Sequence, residues 1–80
     1  MINYQEEEGK MGETRIILRQ GLTEEEIGRT ITEVRRELTR LDFPEGEREG
    51  EIITLKRAIP EGEIIRFSLL PRVKEVIIED

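Results

Sequence analysis

Residues Thr23–Leu41 read TEEEIGRTITEVRRELTRL, and this stretch decides the fold. It opens with a capping box, because the Thr23 hydroxyl can accept from the amide of Glu26 while the Glu26 carboxylate accepts from the amide of Thr23. Apolar residues then recur every three or four positions, which is the period of one helix face. These residues are Ile27, Ile31, Val34, Leu38 and Leu41. Pro44 cannot continue the pattern, so the sequence predicts an amphipathic helix that ends near Leu41.

The segments on either side of this helix predict strands, because β-branched residues are frequent in them and turn residues bound them. Thr14–Gln20 comes before the helix and stops at Gly21. Three further strands are expected after it, and they are Glu51–Ile59, Glu63–Leu70 and Val73–Ile78. The predicted class is α+β, in the order (β)βαβββ, with one helix packed on one face of a mostly antiparallel sheet.

The chain of 80 residues has room for a single hydrophobic core. Residues 13–80 are therefore expected to form one α+β domain. Residues 1–12 are mostly polar and are expected to be a polar lead or a short edge strand. A split β-α-β arrangement of the ferredoxin-like type would need a second helix, which this pattern does not predict. The sequence therefore assigns no family.

The composition excludes several kinds of chemistry. Cysteine, histidine and tryptophan are absent, which removes disulfides, thiolate or imidazole metal sites and catalysis by Cys or His. The formal net charge is −6. No long apolar run is present, so the sequence predicts a soluble protein. The expected location is the cytoplasm or, for a viral chain, the virion or the host cytoplasm. Abundant Glu and Arg with few Asn and Gln is typical of thermostable proteins, although a mesophilic or designed sequence could share this composition.

No motif for catalysis, cofactor binding or metal binding stands out. The acidic run Glu24-Glu25-Glu26 is explained by helix capping, and the acidic loop Asp42–Glu51 lacks the spacing of a calcium-binding EF-hand. Ser68 has no histidine to activate it, and no glycine-rich phosphate loop is present. The sequence therefore predicts a protein that is not an enzyme and has neither cofactor nor metal.

The two faces of the predicted sheet differ in character, because one helix can cover only one of them and strand residues alternate between them. The covered face is expected to form the core, and it contains Ile16, Leu18, Ile53, Leu55, Ile59, Ile65, Phe67, Leu69, Val76 and Ile78. The uncovered face is half aliphatic where a solvated face should be polar, so it predicts an interface with a partner. The candidate interface residues are Arg15, Ile17, Arg19, Ile52, Ile64, Arg66, Leu70 and Ile77. A one-residue shift in register would exchange the two faces.

The uncovered face predicts a non-enzymatic protein-binding or assembly module. Its occupant could be a second copy, giving a homodimer or a larger assembly, a different protein, or the N-terminal segment of the same chain. An exposed edge strand is a second route to binding. The alternative function is a small regulatory protein that binds nucleic acid or another polyanion through the sheet-face arginines. The acidic composition and the lack of an aromatic platform disfavour nucleic acid as the partner. A further alternative is a designed or orphan domain without a natural ligand.

Overall fold

The structure, a computed structural model, describes residues 12–79. Its elements follow one another as β1 (Glu13–Leu18), α1 (Glu24–Arg40), β2 (Glu47–Glu49), β3 (Ile52–Leu55), α2 (Glu61–Ser68) and β4 (Val73–Glu79). The polar lead or edge strand predicted for residues 1–12 lies outside the described residues, apart from Gly12.

The four strands form one antiparallel sheet in the order β2-β3-β1-β4. This strand order, with elements in the sequence β-α-β-β-α-β, is the split β-α-β arrangement of the ferredoxin-like type. The predicted α+β class, with a helix packed on an antiparallel sheet, is confirmed. The order of elements differs from the predicted (β)βαβββ, because a second helix replaces one strand and the short strand β2 is added.

The segment predicted as the strand Glu63–Leu70 is the helix α2. Two acidic residues lie in its first turn, where they suit the positive end of the helix dipole. Ile64 and Phe67 of this helix, and Leu70 just after it, follow at intervals of three and pack in the core, with Phe67 fully buried. Ile65 and Leu69, which were predicted to be core residues, are instead 67% and 76% exposed.

The predicted capping box at the start of α1 is present. The Glu26 amide donates to the Thr23 hydroxyl at 3.1 Å, and the Thr23 amide donates to the Glu26 carboxylate at 2.9 Å. The hydrogen bond from the Thr23 amide to the Glu26 carboxylate is the main reason why the pKa of Glu26 lies below its ordinary value. The apolar stripe of α1 packs as predicted, because Ile27, Val34 and Leu38 are buried and the rest of the stripe is half-buried against them.

Both helices lie on the same side of the sheet. The core joins residues of α1 and α2 to one face of β1 and β3, where Ile16, Leu18, Ile53 and Leu55 are buried. Thr14 is the buried polar residue of this face in β1, and its hydroxyl donates to the Arg57 carbonyl at 2.9 Å and accepts from the Ile59 amide at 3.0 Å. The opposite face of the sheet is covered by neither helix.

Candidate functional site

The strand register assigns each residue to a face of the sheet, because directly opposed residues of an antiparallel pair share a face. Ile16 pairs with Ile53 on the helix-covered side, so the alternate positions lie on the other side. We call that other side the open face. Its ten residues are Glu13, Arg15, Ile17, Glu47, Glu49, Ile52, Thr54, Glu75, Ile77 and Glu79.

One row of residues across the open face has an apolar centre and acidic ends. Ile17 pairs with Ile52 on one side and with Glu75 on the other. Ile52 pairs in turn with Glu49 on the edge strand β2. The row therefore reads Glu49, Ile52, Ile17 and Glu75 from one edge of the sheet to the other. Cross-strand neighbours of this kind lie about 4.5–5.5 Å apart at their Cβ atoms, so the two isoleucines form one contiguous apolar surface.

A second row lies beside the first. It reads Glu47, Thr54, Arg15 and Ile77 across the same four strands. Ile77 therefore lies diagonally from Ile17 and extends the apolar surface towards the edge strand β4. Ile52 is 37% exposed, whereas Ile17 and Ile77 are half-buried by their neighbours on the sheet. Three isoleucines from three adjacent strands thus meet on a face that carries no described helix.

The open face is acidic around this apolar centre. Among its ten residues are five glutamates and one arginine, which gives a formal net charge of −4. The arginine, Arg15, is already engaged, because its Nε donates to Glu13 and its Nη1 to Glu79, each at 3.3 Å. Among the described residues, Glu47, Glu49 and Glu75 form no ion pair. The surface therefore presents a negative potential to an approaching partner.

The structure brings together four of the eight predicted interface residues. Arg15, Ile17, Ile52 and Ile77 lie on the open face as predicted from their alternation. Arg19 follows the end of β1, is exposed, and donates its amide to the Arg72 carbonyl at 2.9 Å. Whether these residues contact a partner stays a prediction.

The other three predicted interface residues do not lie on the open face, so their predicted placement there was wrong. Ile64 and Arg66 belong to α2 and Leu70 follows its end, so all three lie on the helix side of the sheet. Ile64 and Leu70 pack against the core, and Arg66 lies 3.4 Å from the Glu63 carboxylate. The physical reason is the helical period of α2, which separates residues that a strand would align.

Sequence reasoning missed the acidic edge formed by β2. The segment Asp42–Glu51 was interpreted as a solvated loop, yet its last part forms a hairpin with β3. The available signal was the alternating Glu47-Arg48-Glu49 followed by Gly50, which has φ 66° in a two-residue turn. Arg48 confirms the alternation, because it points to the helix side and bonds Glu24 of α1 at 3.2 Å through both terminal nitrogens.

A cavity of about 200 Å³ lies between α1 and the β2–β3 hairpin. Ile31, Leu38 and Ile53 form its apolar wall, and an ion pair of 3.3 Å between Arg35 and Glu45 lies at its rim. Pockets for small-molecule ligands are usually larger, at about 300–1,000 Å³. Within residues 12–79 no cluster of carboxylates is arranged to hold a metal ion. In the same range, neither helix has the length and apolar character needed to cross a bilayer.

Comparison of the chain with protein-family models, with characterised proteins and with solved structures finds no match.

Proposed function

We propose that the chain is a protein-binding module whose contact surface is the open face. The observation that supports this proposal is the row of two isoleucines with a glutamate at each end, reinforced by Ile77 in the neighbouring row. An apolar centre with a polar rim is the usual anatomy of a protein interface. Scattered exposed aliphatic residues need no explanation, but a contiguous group on three strands is typical of a binding surface.

The edge strand β4 is a less suitable contact. It has seven residues and lies at one end of the sheet in the described part of the chain, so its backbone could in principle pair with another strand. However, Lys74, Glu75 and Glu79 place charged, exposed side chains along it. Charged residues on edge strands oppose the addition of a further strand. The face, rather than the edge, is therefore the proposed contact.

Polyanion binding through the sheet-face arginines receives no support from this arrangement. Arg15 is held between two carboxylates, and Arg66 lies on the other side of the sheet. The open face carries a net negative charge, which repels phosphate groups. A protein partner is consistent with the same charges, because protein interfaces accept either sign at their rim.

The proposal is tested by selecting ligands from a displayed library of random peptides against the immobilised chain. Ile17→Thr combined with Ile52→Thr removes most of the apolar centre and keeps a β-branched residue at each position. The matched control is Ile65→Thr, an exposed isoleucine on α2 at the other side of the molecule. Selected peptides should bind the double variant at least about tenfold more weakly, since each replacement removes about 0.8 kcal/mol or more of apolar contact.

The control variant should bind the selected peptides as the original chain does. Peptides that bind the double variant and the original chain equally well would place the binding surface elsewhere and refute the proposal. A library that yields no peptide above background binding would also count against it. Far-UV circular dichroism of each variant verifies that the fold is retained.

We also propose that the protein is thermostable. An ion-pair network joins the helices, because Arg40 of α1 bonds Glu37 at 3.0 Å and Glu63 of α2 at 2.7 Å, and Glu63 also contacts Arg66. These hydrogen bonds, first to Glu63 and then to Glu37, raise the pKa of Arg40. Networks of this kind contribute more at high temperature. A thermal midpoint above the mesophilic range of about 45–65 °C supports this proposal, and one inside that range contradicts it.

A further inference from the structure

We infer that the open face binds a basic amphipathic helix of another protein rather than a second copy of this chain. This inference rests on the proposed function and names the class of partner. It follows from two independent properties of the face, which are the sign of its charge and the width of its apolar centre.

The charge of the open face opposes contact between two copies. Five glutamates and one arginine lie on it, so a symmetric face-to-face dimer would place two surfaces of formal charge −4 against each other. Arg15, the one cation among the ten paired residues of this face, cannot relieve this repulsion, because it already contacts Glu13 and Glu79 of its own chain. Like charges across an interface penalise association strongly, whereas complementary potentials favour it. A basic partner therefore fits where a second copy does not.

The spacing of the strands matches the width of a helix. The isoleucine pair Ile17 and Ile52 lies on the two central strands, while Glu49 and Glu75 lie on the two edge strands. Neighbouring strands are about 4.8 Å apart, so the edge strands are separated by roughly 14 Å. A helix with its side chains is about 10–12 Å wide. One helix therefore covers the central strands and leaves the glutamates accessible on both of its sides.

The matching partner has one apolar stripe with lysines or arginines on both flanks. Long basic side chains lay their methylene groups along apolar surface while their charged ends reach outward, here towards the two acidic edges. Such a helix would also complete a third layer, since both helices of residues 12–79 lie on the same side of the sheet. The charge complementarity and the apolar complementarity thus select the same kind of ligand.

The inference is tested with synthetic peptides of about 18 residues, or about 27 Å of helix. The probe is a leucine–lysine peptide with one apolar stripe. The first control has the same composition in a scrambled order without a stripe, and the second is a striped leucine–glutamate peptide. Fluorescence anisotropy measures affinity, and amide chemical shifts of the isotope-labelled chain locate the contact. We expect the striped leucine–lysine peptide to bind at least about tenfold more tightly than either control.

Charge-reversed variants identify which glutamates matter. Glu49→Lys combined with Glu75→Lys should weaken binding of the leucine–lysine peptide about tenfold or more. The matched control is Glu45→Lys combined with Glu61→Lys, which changes the net charge equally but alters exposed residues on the helix side. The control should change affinity by less than about threefold at moderate salt, because both side chains lie on the helix side of the sheet and salt screens charges that do not contact the ligand.

The outcomes separate this inference from the proposed function. Equal binding of the striped and scrambled lysine peptides would show unspecific charge attraction and overturn the inference. Two outcomes would refute the basic partner and still support the open face as a protein-binding surface. One is tighter binding of the leucine–glutamate peptide, with shifts of the open-face amides. The other is a salt-resistant dimer of the chain that the double variant Ile17→Thr with Ile52→Thr does not form. If no peptide shifts the open-face amides and the chain stays a monomer, both the inference and the proposed function fail.

Discussion

The assignment of residues 61–68 to a helix makes opposite predictions for Phe67 and Leu69. In a strand, residues two positions apart share a face and would be buried to a similar degree. In the structure Phe67 lies within α2 and is fully buried, whereas Leu69, the C-cap residue of α2, is 76% exposed. Shortening Phe67 should therefore destabilise the fold, whereas shortening Leu69 should have little effect.

The expected loss of stability decides which Phe67 variant to make. A domain of 80 residues has a free energy of unfolding of about 4–12 kcal/mol. Phe67→Ala would remove about 3–5 kcal/mol, which could unfold the protein completely. Phe67→Leu keeps most of the apolar volume and should cost about 1–2 kcal/mol, so the variant still folds and its stability can be measured. Leu69→Ala alters an exposed side chain and should stay within about 0.5 kcal/mol.

The assay is urea unfolding followed by far-UV circular dichroism. Small domains lose about 1 kcal/mol of stability for each molar increase in urea. Phe67→Leu should therefore lower the unfolding midpoint by about 1–2 M, and Leu69→Ala by less than about 0.5 M. Equal decreases for the two variants would refute the helix, because they would show both side chains on one buried face, as in the strand predicted from the sequence.

Three further predictions concern the cap, one glycine and acid stability. Thr23→Ala should lower the free energy of unfolding by about 1 kcal/mol in the same urea assay, with Thr23→Ser near the original value. Gly46→Ala should also destabilise the fold, because the added Cβ would lie 2.8 Å from the Thr54 carbonyl oxygen. Gly62→Ala is the control and should not destabilise it, because a Cβ at Gly62 meets nothing within 4 Å. The lowered pKa of Glu26 stabilises the fold above pH 4.5, its ordinary pKa, and this contribution is lost as the pH falls through the lower folded value. The stability difference between the original chain and Glu26→Gln should therefore shrink in acid, and a pH-independent difference would contradict the role of the charge.

Local signals predicted the elements that local interactions stabilise. The helix α1 was predictable in both its cap and its apolar stripe, because capping and a period of 3.6 residues are visible within one stretch of sequence. The strands β1 and β4 were also predicted, and their bounds differ from expectation by two residues or fewer at each end. The third strand is shorter than predicted. Beyond its end, the backbone of Arg57 and Ile59 bonds the Thr14 hydroxyl of β1 instead of continuing the ladder of strand hydrogen bonds.

Tertiary packing determines the type of the elements that local sequence signals did not predict. The apolar run in residues 64–70 suits a buried strand or a short helix, and its local pattern does not distinguish them. The helix places Phe67 inside the core, with Ile64 and Leu70 beside it. The short strand β2 was missed for a related reason. Its three residues are all charged and exposed, so only its pairing with β3 makes it a strand.

The part of the candidate site that follows from alternating residues along a strand was predictable from the sequence. The part that depends on the location of α2 and β2 was not. Alternation along β1 and β3 placed Arg15, Ile17 and Ile52 together, and the register confirms that they share a face. The acidic edge was not predicted, since Glu47 and Glu49 were interpreted as loop residues. The apolar centre thus followed from the sequence, while its charged surroundings required the register.

The identity of α2 also determines what kind of partner the open face attracts. Were residues 63–70 a strand, Arg66 would add a second cation to that face and Ile64 would widen its apolar surface. Such a mixed surface would suit a second copy or a polyanion. With α2 on the opposite side, the face retains three isoleucines and a formal charge of −4. The comparison of Phe67→Leu with Leu69→Ala therefore tests more than a helix. Equal destabilisation would return Arg66 to the open face and remove the charge argument for a basic partner, whereas the expected inequality leaves that argument intact.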